Sequence, residues 1–273
     1  MRNESMNRIA DRLAKVKARG EKYLICLLPL GDPDLESSHE LMNLFLKSGA
    51  DLVEVAMPSY DPRCDSRQIA QAGLRAFQSE SDLVPYFEVL RQMRSDHPHE
   101  PLEFMFYSDI LQKYGIREFV GEIISADVDA ALLADSVLMP EKVLEELDMY
   151  LKPSGIPRIR FMPHPFDEKL LPDFRANARE FVILQSIADQ GGHRPFVDPA
   201  NRSLVQKLHS LNMTAAVTLG YGINSPERVR EALKTGADGI IVGTVLVEMI
   251  HQGDYGVLGD FIRELKRATL LEK

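Results

Sequence analysis

Three things are scarce in this sequence: cysteine, positive charge and long hydrophobic runs. Cys26 and Cys64 are the only cysteines, which is too few for a disulfide framework or a thiolate metal site. We expect both thiols to be reduced and unpaired. The formal net charge is −9, which opposes binding to nucleic acid or to an anionic membrane, because both require a basic surface.

No stretch of about 18 consecutive apolar residues is present, so the sequence predicts no transmembrane helix. The first residues, "MRNESMNRIADRLAKVKARG", are charged and have a helical pattern rather than the apolar core of a signal peptide. We therefore expect a soluble, cytoplasmic protein. A small anionic substrate is still compatible with the acidic composition if local backbone dipoles bind it.

What the sequence does contain is a regular alternation of strand-like and helical patterns. A first helix has apolar Ile9, Leu13 and Val16. Strand-like runs then begin near Tyr23, Leu52, Glu103, Val128, Ile156, Glu180, Thr214 and Asp238, and each precedes a helical pattern. The pattern predicts one domain over residues 1–273, a (β/α)8 TIM barrel with an extra N-terminal helix. An open, doubly wound sheet is the alternative. Residues 66–95 are predicted to form one long helical region.

The second strand carries an acidic residue. In "DLVEVAMPSYDPRCDSRQ", Glu54 lies between Val53 and Val55, so alternation along a strand turns it to the opposite side, into the barrel interior. A buried carboxyl has a raised pKa, which suits a general acid or base. The alternative is a structural ion pair with Lys or Arg. Asp61 and Asp65 follow in the loop, where solubility and turn formation explain either residue alone.

Glycines end the last two strands. "TLGYGINSPERV" places Gly222 after the seventh strand, with Ser225 as the expected N-cap of the next helix, and "GIIVGTVLVEMI" places Gly243 and Thr244 before a short helix. These two loops form the recurrent phosphate site of such barrels, where backbone N–H groups and a helix N-terminus bind the anion. A phosphorylated ligand is the prediction; glycines that merely end strands are the alternative.

The segments "LPLGDP", "GADLVEVAMPSYDPRCD", "AGLRAF", "FYSDI", "LLAD", "GYGINSPERV" and "GADGIIVGT" together resemble, in order and spacing, the alpha subunit of tryptophan synthase. The resemblance spans nearly the whole chain. Its most specific part is the block from Glu54 to Asp65, which is similar to the family pattern "E-x-G-x-P-F-S-D-P-x-A-D-G-P".

The resemblance implies retro-aldol cleavage of indole-3-glycerol phosphate to indole and glyceraldehyde 3-phosphate. By position, Glu54 would protonate the indole carbon and take the glycerol hydroxyl proton, and Asp65 would polarise the indole N–H. Tyr107 matches a tyrosine near the family's active site, and its hydroxyl would position Glu54 or substrate, or merely cap the third strand. Two such acid–base groups suffice for this cleavage. We therefore predict neither a metal nor a cofactor.

The resemblance also implies the binding residues. Gly192 would join Gly222, Gly243 and Thr244 in contacting the phosphate. The positions that match the family's indole site hold apolar or aromatic side chains: Leu27, Met105, Leu132, Ala134, Phe161, Ile183, Tyr221 and Ile241. Residues of these types are also expected in the core of any barrel.

Some loops depart from the family pattern. The sixth loop reads "IADQGGHRPF" where the family has "R-S-G-x-T-G", and Ser66 and Arg67 replace the family's Gly-Pro after Asp65. Two alternatives therefore stay open: a diverged barrel lyase acting on another phosphorylated substrate, and a non-catalytic regulatory subunit that binds a phosphate ester. Retention of both carboxyls argues against the regulatory subunit, because a buried Glu is costly to desolvate.

Partner binding is a further implication of the resemblance. Residues 58–62 match the region that contacts the beta subunit of tryptophan synthase, although the motif is altered at Ser59, Tyr60 and Arg63. A heterotetramer with such a subunit and a stand-alone enzyme are both compatible with the sequence. Any pyridoxal phosphate would belong to the partner.

Overall fold

The computed structural model describes residues 7–186 and 199–270, and in these residues eight parallel strands form one sheet that closes on itself. The strands are β1 Tyr23–Pro29, β2 Leu52–Ala56, β3 Leu102–Phe106, β4 Ala130–Leu133, β5 Arg160–Met162, β6 Phe181–Gln185, β7 Ala216–Gly220 and β8 Gly239–Val242. Their order is β4-β3-β2-β1-β8-β7-β6-β5.

The ring of strands closes between β4 and β5. A parallel bridge joins Ala131 to Arg158. It contains a 3.0 Å hydrogen bond from the Ala131 N–H to the Pro157 carbonyl and a 2.8 Å bond from the Ile159 N–H to the Ala131 carbonyl. Closure confirms the predicted barrel and rules out the open sheet.

In the described residues, one helix precedes β1, and the others lie between successive strands or follow β8. They are α1 Arg8–Ala18, α2 Leu35–Ser48, α3 Arg67–Ser79, α4 Val84–Asp96, α5 Ser108–Tyr114, α6 Ile116–Ser125, α7 Glu141–Leu151, α8 Leu171–Asn177, α9 Pro199–His209, α10 Pro226–Leu233, α11 Thr244–Gln252 and α12 Tyr255–Ala268. The predicted N-cap of α10 is confirmed, because Ser225 Oγ accepts a hydrogen bond from the Arg228 N–H.

One helix prediction was wrong. Residues 66–95 form two helices, α3 and α4, rather than one long helical region. The break lies just before Pro85, which occupies the first turn of α4. Proline lacks an N–H and its ring clashes with the preceding turn, so it is tolerated at a helix start but not in a helix interior.

The strands separate two apolar layers. Val53 and Val55 belong to the layer between the sheet and the helices, whereas Leu27 and Met105 belong to the layer inside the barrel. Since side chains alternate along a strand, Glu54 faces the interior, as predicted. Both faces of the sheet are buried, which explains why the strands read as nearly continuous apolar runs.

The amino ends of the strands are closed by packed side chains. Helix α1 adds Ile9 and Val16 to the interior layer, and the Tyr23 hydroxyl lies 2.6 Å from Thr218 Oγ1. A Cβ atom at Gly239 would lie 2.1 Å from the Tyr23 ring, so only glycine leaves room for this ring. The interior is therefore filled at this end, and the open cavity lies at the carboxyl ends of the strands.

No helix in the described ranges is long and apolar enough to cross a membrane.

Candidate active site

A cavity of about 240 Å³ opens at the carboxyl ends of the strands. All eight residues of the predicted apolar pocket line it: Leu27, Met105, Leu132, Ala134, Phe161, Ile183, Tyr221 and Ile241. Glu54 and Asp65 line the same cavity. The structure thus brings an apolar chamber and two carboxyl groups together, in the place where barrels of this kind carry their chemistry.

Glu54 lies on β2 with 2% of its surface exposed. Burial raises the pKa of its carboxyl to about 8, and the nearby charge of Asp65 acts in the same direction. A hydrogen bond with the Glu103 carboxyl is a smaller cause that lowers the pKa. The structure offers no Lys or Arg partner to Glu54 among the residues it describes, which argues against a structural ion pair.

Asp65 lies in the loop between β2 and α3 and accepts a short hydrogen bond from the Tyr107 hydroxyl. Part of its side chain remains accessible through the cavity, but dense protein surrounds the carboxyl, and this burial raises the pKa of Asp65 to about 6. The hydrogen bond from Tyr107 opposes this increase. In the structure the Tyr107 hydroxyl holds Asp65, rather than Glu54, and does more than cap β3; its contact with substrate stays a prediction.

Asp61 has a different role in the same loop. Its carboxylate pairs with Arg63 at 2.5 Å on the exposed side, as turn residues commonly do. A second residue, Asp109 on α5, holds the start of the loop: it accepts hydrogen bonds of 2.9 Å from Ser59 Oγ and from the Tyr60 N–H. The loop that carries Asp65 is thus attached to a neighbouring helix.

Three of the predicted phosphate-binding residues, Gly222, Gly243 and Thr244, line the cavity. Tyr221 and Gly222 both have positive φ angles, 73° and 74°, and a non-glycine residue in this conformation is strained and commonly found at binding sites. Helix α11 begins at Thr244 without a side-chain cap. The fourth predicted residue, Gly192, lies outside the described residues.

A hydroxyl pair connects the two sides of the cavity. The Thr244 hydroxyl donates a 3.0 Å hydrogen bond to Ser66 Oγ, and Ser66 is also the N-cap of α3. The loop after β2 and the loop after β8 are therefore joined directly. The sequence shows two ordinary helix starts here, and nothing in it signals their contact.

Of the lining residues that the structure describes, none is Lys, Arg or His, whereas Glu54, Asp65 and Glu248 are acidic. Among the described lining residues, the groups that can bind an anion are backbone N–H groups, neutral polar side chains such as Thr244, and the positive end of a helix dipole at the mouth of the cavity. Across the described ranges, no cluster of three or more His, Cys, Asp or Glu side chains is arranged to hold a metal ion.

The sequence reasoning missed several polar residues of the site. Gln68, Gln185 and Asn224 line the cavity, and Glu103 lies beside Glu54 on the adjacent strand. For Glu103 a signal was available: it stands between Leu102 and Phe104 in "PLEFMF", in the same pattern that identified Glu54. The amides carry no such signal, because their position depends on how the loops fold.

The closed parallel barrel, with titratable carboxyl groups in a cavity at the carboxyl ends of its strands, defines a (β/α)8-barrel enzyme. Comparison with known proteins identifies the family. The family model for the tryptophan synthase alpha chain matches residues 13–268, and the chain belongs to this family.

Individual relatives support this family membership. The tryptophan synthase alpha chain of Francisella tularensis is 30% identical over 270 residues, which cover 97% of this chain and 99% of the relative. That of Photobacterium profundum is 30% identical over 272 residues, with 97% and 100% covered. A crystal structure of the alpha chain from Legionella pneumophila has a TM-score of 0.84 at 23% identity, covering 97% of this chain and 98% of that one. At this identity the structural likeness supports the fold alone.

Proposed function

We propose that this chain is a carbon–carbon lyase that cleaves indole-3-glycerol phosphate to indole and glyceraldehyde 3-phosphate, with Glu54 and Asp65 as its acid–base groups. Membership of the tryptophan synthase alpha chain family makes the chain a lyase of tryptophan biosynthesis. The observation that carries the residue roles is that both carboxyls face one apolar cavity.

The cleavage needs two proton movements and an electron sink. Glu54 gives its proton to the indole carbon that bears the glycerol chain, which makes the ring cationic. The resulting carboxylate takes the proton of the adjacent glycerol hydroxyl, the carbon–carbon bond breaks, and its electrons return to the ring while the hydroxyl carbon becomes the aldehyde. Asp65 accepts a hydrogen bond from the indole N–H and stabilises the positive charge.

The protonation states support this assignment. At neutral pH, Glu54, with a pKa of about 8, carries the proton it must donate. Asp65, with a pKa of about 6, is mostly ionised and can accept the N–H hydrogen bond. Two carboxyls whose pKa values differ in this way are suited to opposite roles in one reaction.

The cavity also supports the substrate. Its apolar side chains, including Phe161 and Ile183, suit a flat aromatic ring. We propose that Gly222, Gly243 and Thr244 bind the phosphate at the N-terminus of α11, together with Gly192. No cofactor or metal enters the proposed reaction.

The proposal includes a beta-type partner subunit. Tyr60 in residues 58–62 is 46% exposed, although it is not loose: its ring stacks on Phe77 at 4.1 Å between centroids, and Lys113 Nζ lies 4.7 Å from its centroid. An exposed aromatic ring whose orientation is fixed by neighbouring side chains is suited to a protein–protein interface. The proposed location is the cytoplasm, which agrees with the free thiols of Cys26 and Cys64.

The decisive experiment measures indole release from indole-3-glycerol phosphate by the purified chain, alone and with a tryptophan synthase beta subunit. Because the chain contains no Trp, indole fluorescence can be followed in the chain alone without that background. We expect Glu54→Gln and Asp65→Asn each to lower kcat by at least a hundredfold, about the lower limit for loss of a general acid or base.

Asp61→Asn, a change of the same chemical kind in the same loop, is the matched control and should leave kcat within about twofold, as expected for an exposed pair. Thermal unfolding confirms that each variant is folded. Folded wild-type protein that releases no indole under either condition would contradict the proposed reaction and favour a diverged lyase. Binding of phosphate esters without turnover would favour a regulatory subunit.

A further inference from the structure

Glu54 has an acidic neighbour inside the barrel. Glu103 on β3 is the register partner of Glu54 on β2, and partners on adjacent parallel strands project to the same side of the sheet. Glu103 has none of its surface exposed, and Glu54 has 2% exposed. Two carboxyl groups are thus enclosed side by side in the interior of the barrel.

The hydrogen bonds of this pair are incomplete. Within the described protein, both carboxyl oxygens of Glu103 and Oε2 of Glu54 are buried and have no hydrogen-bond partner outside the pair itself. A buried polar atom without a partner is costly, and a buried charge without one is costlier. Two adjacent carboxylates would also repel each other, so they do not both ionise at neutral pH.

The groups around the pair do not supply a positive charge. Asp65 interacts with Glu54 from the loop after β2, and the hydroxyls of Tyr107 and Tyr221 interact with it from positions directly after β3 and β7. Tyr23 on β1 is near Glu103. No Lys, Arg or His of the described ranges is among these neighbours, so a retained proton is the available way to neutralise the pair.

We propose that Glu103 keeps a proton at neutral pH and donates a hydrogen bond to Glu54 whenever Glu54 is ionised, which makes Glu103 a positioning residue for the acid–base group. The catalytic part of this inference rests on the proposed role of Glu54; the protonation of Glu103 does not. Burial and the charge of Glu54 both raise the pKa of Glu103 well above its ordinary value, in agreement with the geometry.

This hydrogen bond would act at one moment of the reaction. Once Glu54 has given its proton to the indole carbon, its carboxylate is left buried, with no cationic partner among the described residues. The O–H of Glu103 stabilises and orients that carboxylate until it takes the glycerol hydroxyl proton. Glu103 keeps its own proton throughout, so the proton balance of the reaction is unchanged.

The test is a carbon-13 NMR titration of the glutamate carboxyls in the substrate-free protein, with signals assigned from Glu54→Gln and Glu103→Gln. Glu103→Met, which has similar volume but no donor, is compared with Glu103→Gln, which retains an N–H donor. We expect the wild-type Glu103 carboxyl to be protonated at pH 7. Glu54 should titrate about one pH unit higher in Glu103→Met, and near the wild-type pH in Glu103→Gln.

A Glu103 that is ionised at pH 7 in the wild type, held by ordered water, would overturn the inference, and this result needs no variant to fold. Unchanged titration of Glu54 in folded Glu103→Met would overturn it as well. In the indole assay, Glu103→Met should lower kcat more than it changes KM, and Glu103→Gln should restore kcat. If the NMR result is as expected but the wild type releases no indole, the proposed function fails and the protonated pair stands.

Discussion

At the scale of single residues, the site depends on giving chemically similar groups different protonation states. Glu54 is enclosed by the barrel, which raises its pKa to about 8. Asp65 lies at the cavity wall with a hydrogen bond from Tyr107, and its pKa rises only to about 6. Position in the fold, rather than residue type, decides which carboxyl is the acid and which is the hydrogen-bond acceptor.

These pKa values predict a bell-shaped pH dependence of kcat/KM for indole release. Activity requires ionised Asp65 and protonated Glu54, so the rate should rise through about pH 6 and fall through about pH 8. Removing the hydrogen bond in Tyr107→Phe should raise the pKa of Asp65 and move the acidic limb to higher pH. A flat profile between pH 5 and 9 would contradict the assignment.

Glu54 should also make stability depend on pH. Its folded-state pKa of about 8 is above the ordinary value of 4.5, so the folded protein holds a proton that the unfolded chain has released. The stability contributed by this proton is fully present below about pH 4.5 and is lost as the pH rises to about 8, at roughly 1.4 kcal/mol per pH unit.

Glu54→Gln removes this titration. Relative to the wild type, the variant should gain stability between pH 5 and pH 8, on the order of 3 kcal/mol, measured by urea denaturation at both pH values. Asp61→Asn, in which an exposed carboxyl is lost, should show no such trend. An equal free energy difference between Glu54→Gln and the wild type at the two pH values would count against a raised pKa at this position.

At the scale of elements, the site is assembled by contacts between loops. Asp109 on α5 holds the loop after β2 through Ser59 and Tyr60. Thr244 at the start of α11 bonds to Ser66 at the start of α3. The element that carries Asp65 is therefore attached at both ends to neighbours that are distant in sequence.

Releasing one attachment should affect catalysis more than stability. Asp109→Ala removes the acceptor of two hydrogen bonds to the loop, so we expect kcat/KM to fall by about ten- to a hundredfold through misplacement of Asp65. The free energy of unfolding should fall by only about 1–2 kcal/mol. Hydrogen exchange should speed up in residues 58–66, and the same assays on Asp61→Ala provide the comparison within this loop.

At the scale of the whole molecule, packing at the amino ends of the strands leaves the interior open only at their carboxyl ends. The Tyr23 ring occupies the interior at the amino ends of the strands and is admitted by Gly239. With this end packed and covered by α1, the remaining interior space is the cavity at the other end. The barrel thus confines ligand access to the end at which Glu54 and Asp65 lie.

Gly239→Ala tests this packing. Its Cβ would lie 2.1 Å from the Tyr23 ring, so we expect destabilisation of about 2–3 kcal/mol or loss of folding, and partial recovery when it is combined with Tyr23→Val. Gly121→Ala on α6 is the matched control: nothing lies within 4 Å of its added Cβ, and it should stabilise by up to about 1 kcal/mol. Thermal denaturation of the wild type, Gly239→Ala, the double variant and Gly121→Ala measures these changes in stability.

Much of this protein follows from the sequence by itself. The alternation of elements predicts the barrel, Ser225 predicts a helix start, and the period of two along β2 predicts that Glu54 faces inward. These features depend on neighbours within a few residues along the chain, where spacing and residue type determine backbone geometry and the direction of side chains.

Only the tertiary structure decided which side chains of the site come into contact with one another. The Tyr107 hydroxyl reaches Asp65 across 42 residues of sequence, Thr244 reaches Ser66 across 178, and Glu103 stands beside Glu54 because β3 pairs with β2 in one particular register. Strand register is set by closing the whole barrel, so no local pattern contains it. The pKa values that distinguish the carboxyl groups arise from the same closure, since burial is their largest cause.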